Sequence, residues 1–339
     1  MQMWFWNKRL VALSLIVIAV FLVACDPMAP PQATPISVIV SPIASITPTP
    51  RNTDTPTPTH TPIPTLTPDL APTATPFPCN EEEGRVIEFN DFPSPTAGGE
   101  NLRYHVYIPP CYQETQKRFP VALLLHGLSY REQQWAGIGA VDTLNQGIVL
   151  GVLPPMIVVM PYYGNIGQLN QFPPDPSYET VILDELLPAV ENDFCTWEDR
   201  QHRVIGGISR GGFWALSIAF RHPEMFSAVG GHSAFFSTNP NEVPPQFSPL
   251  EIADASALLA NSNLRIYLDN GASDSAAQSQ QRLSAKLEER TIPHTYVINP
   301  IGEHDNTYWS SHITEYLAFY GRDWARDYNQ LSSCLEPSP

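Results

Sequence analysis

Residues 203–214 read RVIGGISRGGFW, a run that opens as an apolar strand, passes through glycines on both sides of one serine, and ends in residues suited to a helix. The serine is Ser209, and Gly207-Ile208-Ser209-Arg210-Gly211 has the spacing GxSxG. Between a strand and a helix, that spacing lifts the hydroxyl above the carboxyl edge of a sheet on a strained turn. Side chains at Gly207 and Gly211 would there collide with neighbouring backbone. A helix starting at Gly211 brings free N–H groups and a positive dipole end to the same place. The competing explanation is a glycine-rich turn whose serine only caps the helix. A base and an acid placed further along the chain separate the two.

The sequence around this stretch predicts an α/β domain with a mainly parallel central sheet, helices on both faces and an N-terminal antiparallel hairpin. RVIEF and LRYHVYIP form the hairpin; VALLLHG, MIVVMPYY, RVIGGIS, FSAVGGHS, LRIYLDNG and HTYVINP follow as strands. Each of these is apolar at its centre, as a strand covered on both faces must be. Helices are expected at about Ala140 to Leu150, Tyr178 to Phe194, Gly212 to Arg221, Leu250 to Ala260, Ala276 to Arg290 and Tyr308 to Arg326. No internal repeat occurs.

A serine hydroxyl becomes nucleophilic only when a base removes its proton, and in this kind of sheet the order is serine, acid, histidine. His304, in NPIGEHDNTYWSSH, falls in a loop between the last strand and the last helix and is the expected base. His294 begins a strand and His312 lies in a helix, both structural positions; His232 is a candidate lining residue. The acid is expected after LRIYLDNG, with Asp274 preferred in the turn before the next helix and Asp269, nearer the strand, as the alternative. Asp274 could equally cap that helix. Donors for the oxyanion are expected from the backbone N–H of Arg210, which follows the nucleophile, and of Leu128 in the turn after VALLLHG. His126 precedes the nucleophile and reads as a packed loop residue. Trp135, with the proline-rich stretch 168–176, is the candidate for shaping substrate access.

Taken together, VYIPPCY, LLLHGLSYREQQW, DELLPAVENDF, GGISRGGFWAL with RHPEMFSAVGGHS, LDNGASD and GEHDNTYWSSHITEYLAFY resemble the esterase D-like branch of the α/β-hydrolases, over about residues 101–320. That branch includes feruloyl and acetyl-xylan esterases, enterochelin esterases, S-formylglutathione hydrolases and mycobacterial mycolyltransferases. The resemblance implies an α/β-hydrolase fold, Ser209 as nucleophile, Asp274 as acid, His304 as base, oxyanion donors at Leu128 and Arg210, and no cofactor. It also implies a small-molecule or glycan ester as substrate. Water is the expected acyl acceptor, and a sugar hydroxyl, as in a mycolyltransferase, is the alternative. A reading of another class is an idle fold used as a glycan-binding module on a stalk, against which the complete Ser, Asp and His set argues. Cys111 stands where relatives often carry glycine.

The ends of the chain speak to location. Lys8 and Arg9 precede an apolar run from Leu10 to Ala24, the layout of an export signal. Leu22-Val23-Ala24-Cys25 resembles a bacterial lipobox, which implies cleavage after residue 24 and lipidation of Cys25; an uncleaved signal anchor is the alternative. Residues 1–25 are thus expected as signal peptide with lipobox, 26–78 as a Pro/Thr-rich linker, and 79–339 as the catalytic domain. The linker has no apolar periodicity with which to build a core, and in polyproline II geometry it would reach on the order of 160 Å. The expected location is the outer face of the cell membrane. Cys79, Cys111, Cys195 and Cys334 then lie in an oxidising compartment, and the favoured pairs are Cys79 with Cys111 and Cys195 with Cys334, each pinning a domain terminus. No CxxC or HxxxH spacing points to a metal. The formal net charge of -16 argues against nucleic acid or anionic lipid as partner, leaving the lipid anchor as the expected link to the membrane.

Overall fold

The structure is a computed structural model and describes residues 80–335, apart from 82 and 238. Cys25, Cys79 and the boundaries at 25 and 78 lie outside the described residues. Eight strands form one sheet in the order β1-β2-β4-β3-β5-β6-β7-β8. They are β1 (Arg85–Pro93), β2 (Asn101–Ile108), β3 (Val121–Leu125), β4 (Ile157–Pro161), β5 (Arg203–Ile208), β6 (Ala228–His232), β7 (Arg265–Gly271) and β8 (Thr295–Asn299). β1 and β2 form the antiparallel hairpin, β2 runs antiparallel to β4, and every pairing from β4 to β8 is parallel.

The middle strands β3, β4, β5 and β6 are buried along their whole length, which matches their continuous apolar runs, whereas the edge strands β1 and β8 alternate with exposed positions. Successive residues of β5 show that both faces are covered. A Cβ on Gly206 would strike the ring of Tyr320, from the helix Ile313–Tyr320, whereas one on Gly207 would strike the backbone of Gly211, in the helix Arg210–Arg221. Neighbouring strand residues point to opposite faces, so these helices lie on opposite sides of the sheet.

Two expected helices are interrupted. Leu250 to Ala260 divides into Pro249–Ala255 and Ala257–Ala260, because Ser256 is extended and its side chain caps the second piece by accepting from Leu259 N–H. The final helix starts early, at Asn306, because Asp305 caps it through Tyr308 N–H. It breaks at His312, resumes as Ile313–Tyr320 and stops before Gly321, short of Arg326. Tyr178 to Asp193 is helical throughout but widens into a π turn at Val181–Leu186, just before Pro188, a residue that cannot donate the next helical hydrogen bond.

Of the expected disulfides, Cys195–Cys334 is present, closing a sequence separation of 139 residues. Cys111 is buried and also disulfide-bonded.

Candidate active site

Ser209 follows the last residue of β5 and opens the helix Arg210–Arg221 with φ 53° and ψ −112°. This left-handed backbone is costly for a residue with a Cβ, and the surroundings hold it in place. Ser209 N–H donates to His232 O at 2.9 Å, and its carbonyl accepts from Phe213 N–H at 3.1 Å and Phe235 N–H at 3.2 Å. The flanking glycines permit the close approach: a Cβ on Gly207 would lie 2.2 Å from Gly211 C, and one on Gly211 would lie 2.4 Å from Leu125 O.

Loops from two other strands reach this hydroxyl. His304 comes from the loop after β8 and brings Nε2 to 2.9 Å from Ser209 Oγ. Its Nδ1 lies 2.8 Å from Oδ1 of Asp274, which comes from the loop after β7. The tautomer that fits carries the proton on Nδ1 and leaves Nε2 to accept from the serine. Burial acts to raise the Asp274 carboxyl, but hydrogen bonds from His304 and Ala276 N–H, the nearby Ser233 hydroxyl and the charge of His304 outweigh it and hold the group below its ordinary value. The Trp309 ring meets the His304 ring edge to face, centroids 5.2 Å apart, and supports its orientation.

Asp269, the alternative acid, faces elsewhere. Its carboxylate is wholly buried, 2.7 Å from His232 Nδ1, and accepts from the hydroxyls of Tyr308 and Tyr316 at 2.6 and 2.7 Å. His232 is also fully buried, with Nε2 2.6 Å from the Tyr320 hydroxyl, so it supports the floor of the site and lines no pocket. His294 is bonded to Ser284 and Ile292 O, and His312 pairs with Glu315; neither approaches Ser209.

The turn after β3 lies beside the serine, since a Cβ on Gly127 would sit 3.6 Å from Ser209 Cβ. Tyr163, just after β4, brings its hydroxyl within bonding distance of Leu128 O at 2.7 Å and Gly127 O at 3.2 Å. His126 Nδ1 is also 2.8 Å from Gly127 O. Burial lowers the His126 pKa to about 4, so the ring is neutral at pH 7. In a trans peptide the carbonyl and the following N–H point opposite ways, so anchoring Gly127 O leaves Leu128 N–H facing away from Tyr163. Gly127 N–H is itself taken by Gln134 Oε1 at 2.7 Å, and Gln134 Nε2 donates to Asn306 Oδ1, tying this turn to the His304 loop.

Trp135 corrects an expectation. It is completely buried, donates Nε1–H to Leu125 O at 3.1 Å and packs edge-on against His232 and Tyr316. A substrate has no access to it; the apolar ring is consumed in supporting the sheet end. The stretch 168–176 is instead fastened by Arg210, whose guanidinium donates to Gly167 O, Leu169 O and Asn170 Oδ1 and lies over the Phe213 and Trp214 rings. Burial lowers the Arg210 pKa to about 10, which leaves it charged at neutral pH.

Comparison with known proteins gives the chain its relatives. A family model described as putative esterase matches residues 95–320. The endo-1,4-beta-xylanase/feruloyl esterase of Xylanibacter ruminicola is 33% identical over 144 residues, which are 39% of this chain and 19% of that protein. An esterase of Mycobacterium tuberculosis is 30% identical over 146 residues, 41% of this chain and 30% of its own length. The chain thus spans less than a third of either curated relative. A solved ferulic acid esterase superposes with a TM-score of 0.64 at 27% identity, covering 71% of this chain and 99% of the other. An S-formylglutathione hydrolase from Staphylococcus aureus, at 20% identity and a TM-score of 0.60, covers 70% of this chain and 98% of its own and shares the fold. With a family match over more than half its length and the α/β-hydrolase architecture described above, the chain belongs to the putative esterase family.

Proposed function

We propose that this protein is an esterase that hydrolyses carboxylic esters outside the cell through an acyl-enzyme on Ser209. The observation that carries the reading is the unbroken chain from Asp274 Oδ1 to His304 Nδ1 at 2.8 Å and from His304 Nε2 to Ser209 Oγ at 2.9 Å. As Ser209 Oγ attacks the carbonyl carbon, its proton passes to His304 Nε2, and Asp274 balances the imidazolium and keeps the ring oriented. The carbonyl oxygen becomes an oxyanion held by the N–H groups of Leu128 and Arg210. Collapse expels the alcohol with the proton from His304; water, deprotonated by the same ring, then releases the acid.

The surroundings of the serine favour an apolar acyl group. Leu128, Leu169, Phe235 and Ile301 are among the large hydrophobic side chains left exposed in the described residues, and each belongs to a segment next to the triad. Leu128 lies in the turn beside Ser209, Phe235 N–H bonds Ser209 O, Arg210 holds Leu169 O, and Ile301 precedes His304 by three residues. An aromatic ester of the feruloyl kind, named for two of the relatives, suits such a rim. Export by residues 1–25, a lipid on Cys25 and a 26–78 spacer carrying the domain from 79 onward complete the proposal and place it at the outer membrane surface.

A fluorophosphonate probe tests the chemistry. Wild type is expected to be labelled and Ser209→Ala to remain unlabelled, with ester hydrolysis lost in parallel. Labelling that persists in Ser209→Ala, or no labelling of either protein, would rule the mechanism out.

A further inference from the structure

Ser233 follows β6, is fully buried and has a left-handed backbone with φ 50°. Glycine would hold that conformation without strain, so a serine there calls for a use of its side chain. The backbone around it is joined to Ser209 and to the strand that leads to Asp274. His232 O accepts from Ser209 N–H, Phe235 N–H donates to Ser209 O, and Ser233 N–H donates at 2.8 Å to the carbonyl of Asp269, on the strand that leads to Asp274. Its Oγ accepts from Trp309 Nε1–H at 2.9 Å, in the helix that follows His304. That bond occupies a lone pair and leaves the hydroxyl proton to be donated.

The Asp274 carboxylate is the neighbour in need of a donor. Its Oδ1 serves both His304 and Ala276 N–H, whereas Oδ2 is buried and makes no hydrogen bond of standard geometry. The Ser233 hydroxyl nonetheless lies near enough to help keep the carboxyl ionised. A buried carboxylate oxygen without a donor is costly, and most so when the carboxylate must stay charged.

We propose that Ser233 is a positioning residue of the triad: its hydroxyl, oriented by the Trp309 indole, donates to Asp274 Oδ2 while His304 carries the proton taken from Ser209. This rests on Asp274 being the triad acid. Ser233 touches no substrate; it fixes the carboxylate against the imidazole.

Ser233→Gly in the full chain tests this, since glycine keeps the left-handed backbone and removes only the hydroxymethyl group; Ser233→Ala is the companion variant. With an activated ester, kcat is expected to fall about tenfold for either variant while KM stays unchanged. The acid limb of kcat/KM moves to higher pH, because a carboxylate with fewer donors holds a proton, its own or that of the imidazolium, more tightly. In an Asp274→Asn background the same Ser233→Gly change is expected to alter kcat by no more than about twofold, because the hydroxyl acts through the carboxylate. An unchanged kcat in Ser233→Gly, or an equal loss in both backgrounds, overturns the proposal. Full activity of Asp274→Asn alone overturns the triad assignment itself, and this proposal with it.

Discussion

Tyr163 shows how much of the site depends on side chains that never meet the substrate. Its hydroxyl is shared between the carbonyls of Gly127 and Leu128, and its ring stacks on His126 with centroids 3.9 Å apart, so the turn after β3, proposed to supply an oxyanion donor, is held from behind. Removing the hydroxyl frees the Gly127-Leu128 peptide to tilt, and a donor that has tilted loses most of its value to a developing oxyanion. Tyr163→Phe is therefore expected to lower kcat about tenfold with little change in KM, less than the 10²–10³ typical of deleting an oxyanion donor outright. A rise in KM at constant kcat would instead assign Tyr163 to ground-state binding. The candidates Ser209, Asp274 and His304 are legible in the sequence because each stands just past an apolar strand, where loop order and residue type carry the signal. Tyr163 and Ser233 stand in equivalent places, but no spacing marks them, since their work is done across space on backbone and buried oxygens. The choice between Asp274 and Asp269 had the same difficulty. Both follow the core of β7, and only the side-chain direction, toward His304 or toward His232, separates them.

At the scale of elements, the strands were readable because complete burial demands unbroken apolar runs, whereas helix ends depended on caps such as Ser256 and Asp305 that polar composition alone does not locate. The helix behind Ser209 has a second feature at its far end. His222 follows Arg221 there, with Nε2 2.9 Å from Glu179 Oε1, and Arg221 ion-pairs with the same carboxylate, which is buried; Glu224 lies on the other side of the imidazole. The bond to Glu179 raises the His222 pKa above its ordinary 6.5, helped by the charges of Glu179 and Glu224 and opposed by burial and by Arg221. A raised folded-state value means that the charged pair stabilises the fold fully below the unfolded-state pKa, and that this contribution fades as the pH rises through the folded-state one. Unfolding by urea should therefore show His222→Gln to be more destabilising at pH 5.5 than at pH 9. The same difference at both pH values would show that the ring contributes by packing alone. Because this end of the helix is eleven residues beyond Arg210, hydrolysis by the folded variant should match wild type.

Across the described residues of the domain, the proposed chemistry and the fastening occupy opposite ends of the sheet. Ser209, Asp274 and His304 all follow the carboxyl ends of parallel strands. The described chain begins at the other end: Arg85 pairs with Ile108, whose neighbour Tyr107 pairs with Val158 near the start of β4, and Gly84 N–H is held by Asn145 Oδ1. Cys195–Cys334 lies at this same end. Phe119 N–H, just ahead of β3, donates to Cys195 O, and Cys334 N–H donates to Gln116 O, so the bond clasps the C-terminal tail to the segment entering the central strands. A cross-link spanning 139 residues removes much of the freedom of the unfolded chain, worth roughly 5 kcal/mol in the chain-entropy picture. Among the described residues, no hydrogen bond joins Cys195 or Cys334 to Ser209, Asp274 or His304. Replacing both cysteines by serine should lower the thermal midpoint by many degrees and leave kcat/KM of the folded protein at 25 °C within about twofold of wild type, a change too small to count against a barrier term. Melting curves and initial rates on the same samples decide the point. A large loss of kcat/KM in protein that is demonstrably folded would mean that strain at the fastened end is transmitted along the strands to Ser209, and that the two ends are one mechanical unit.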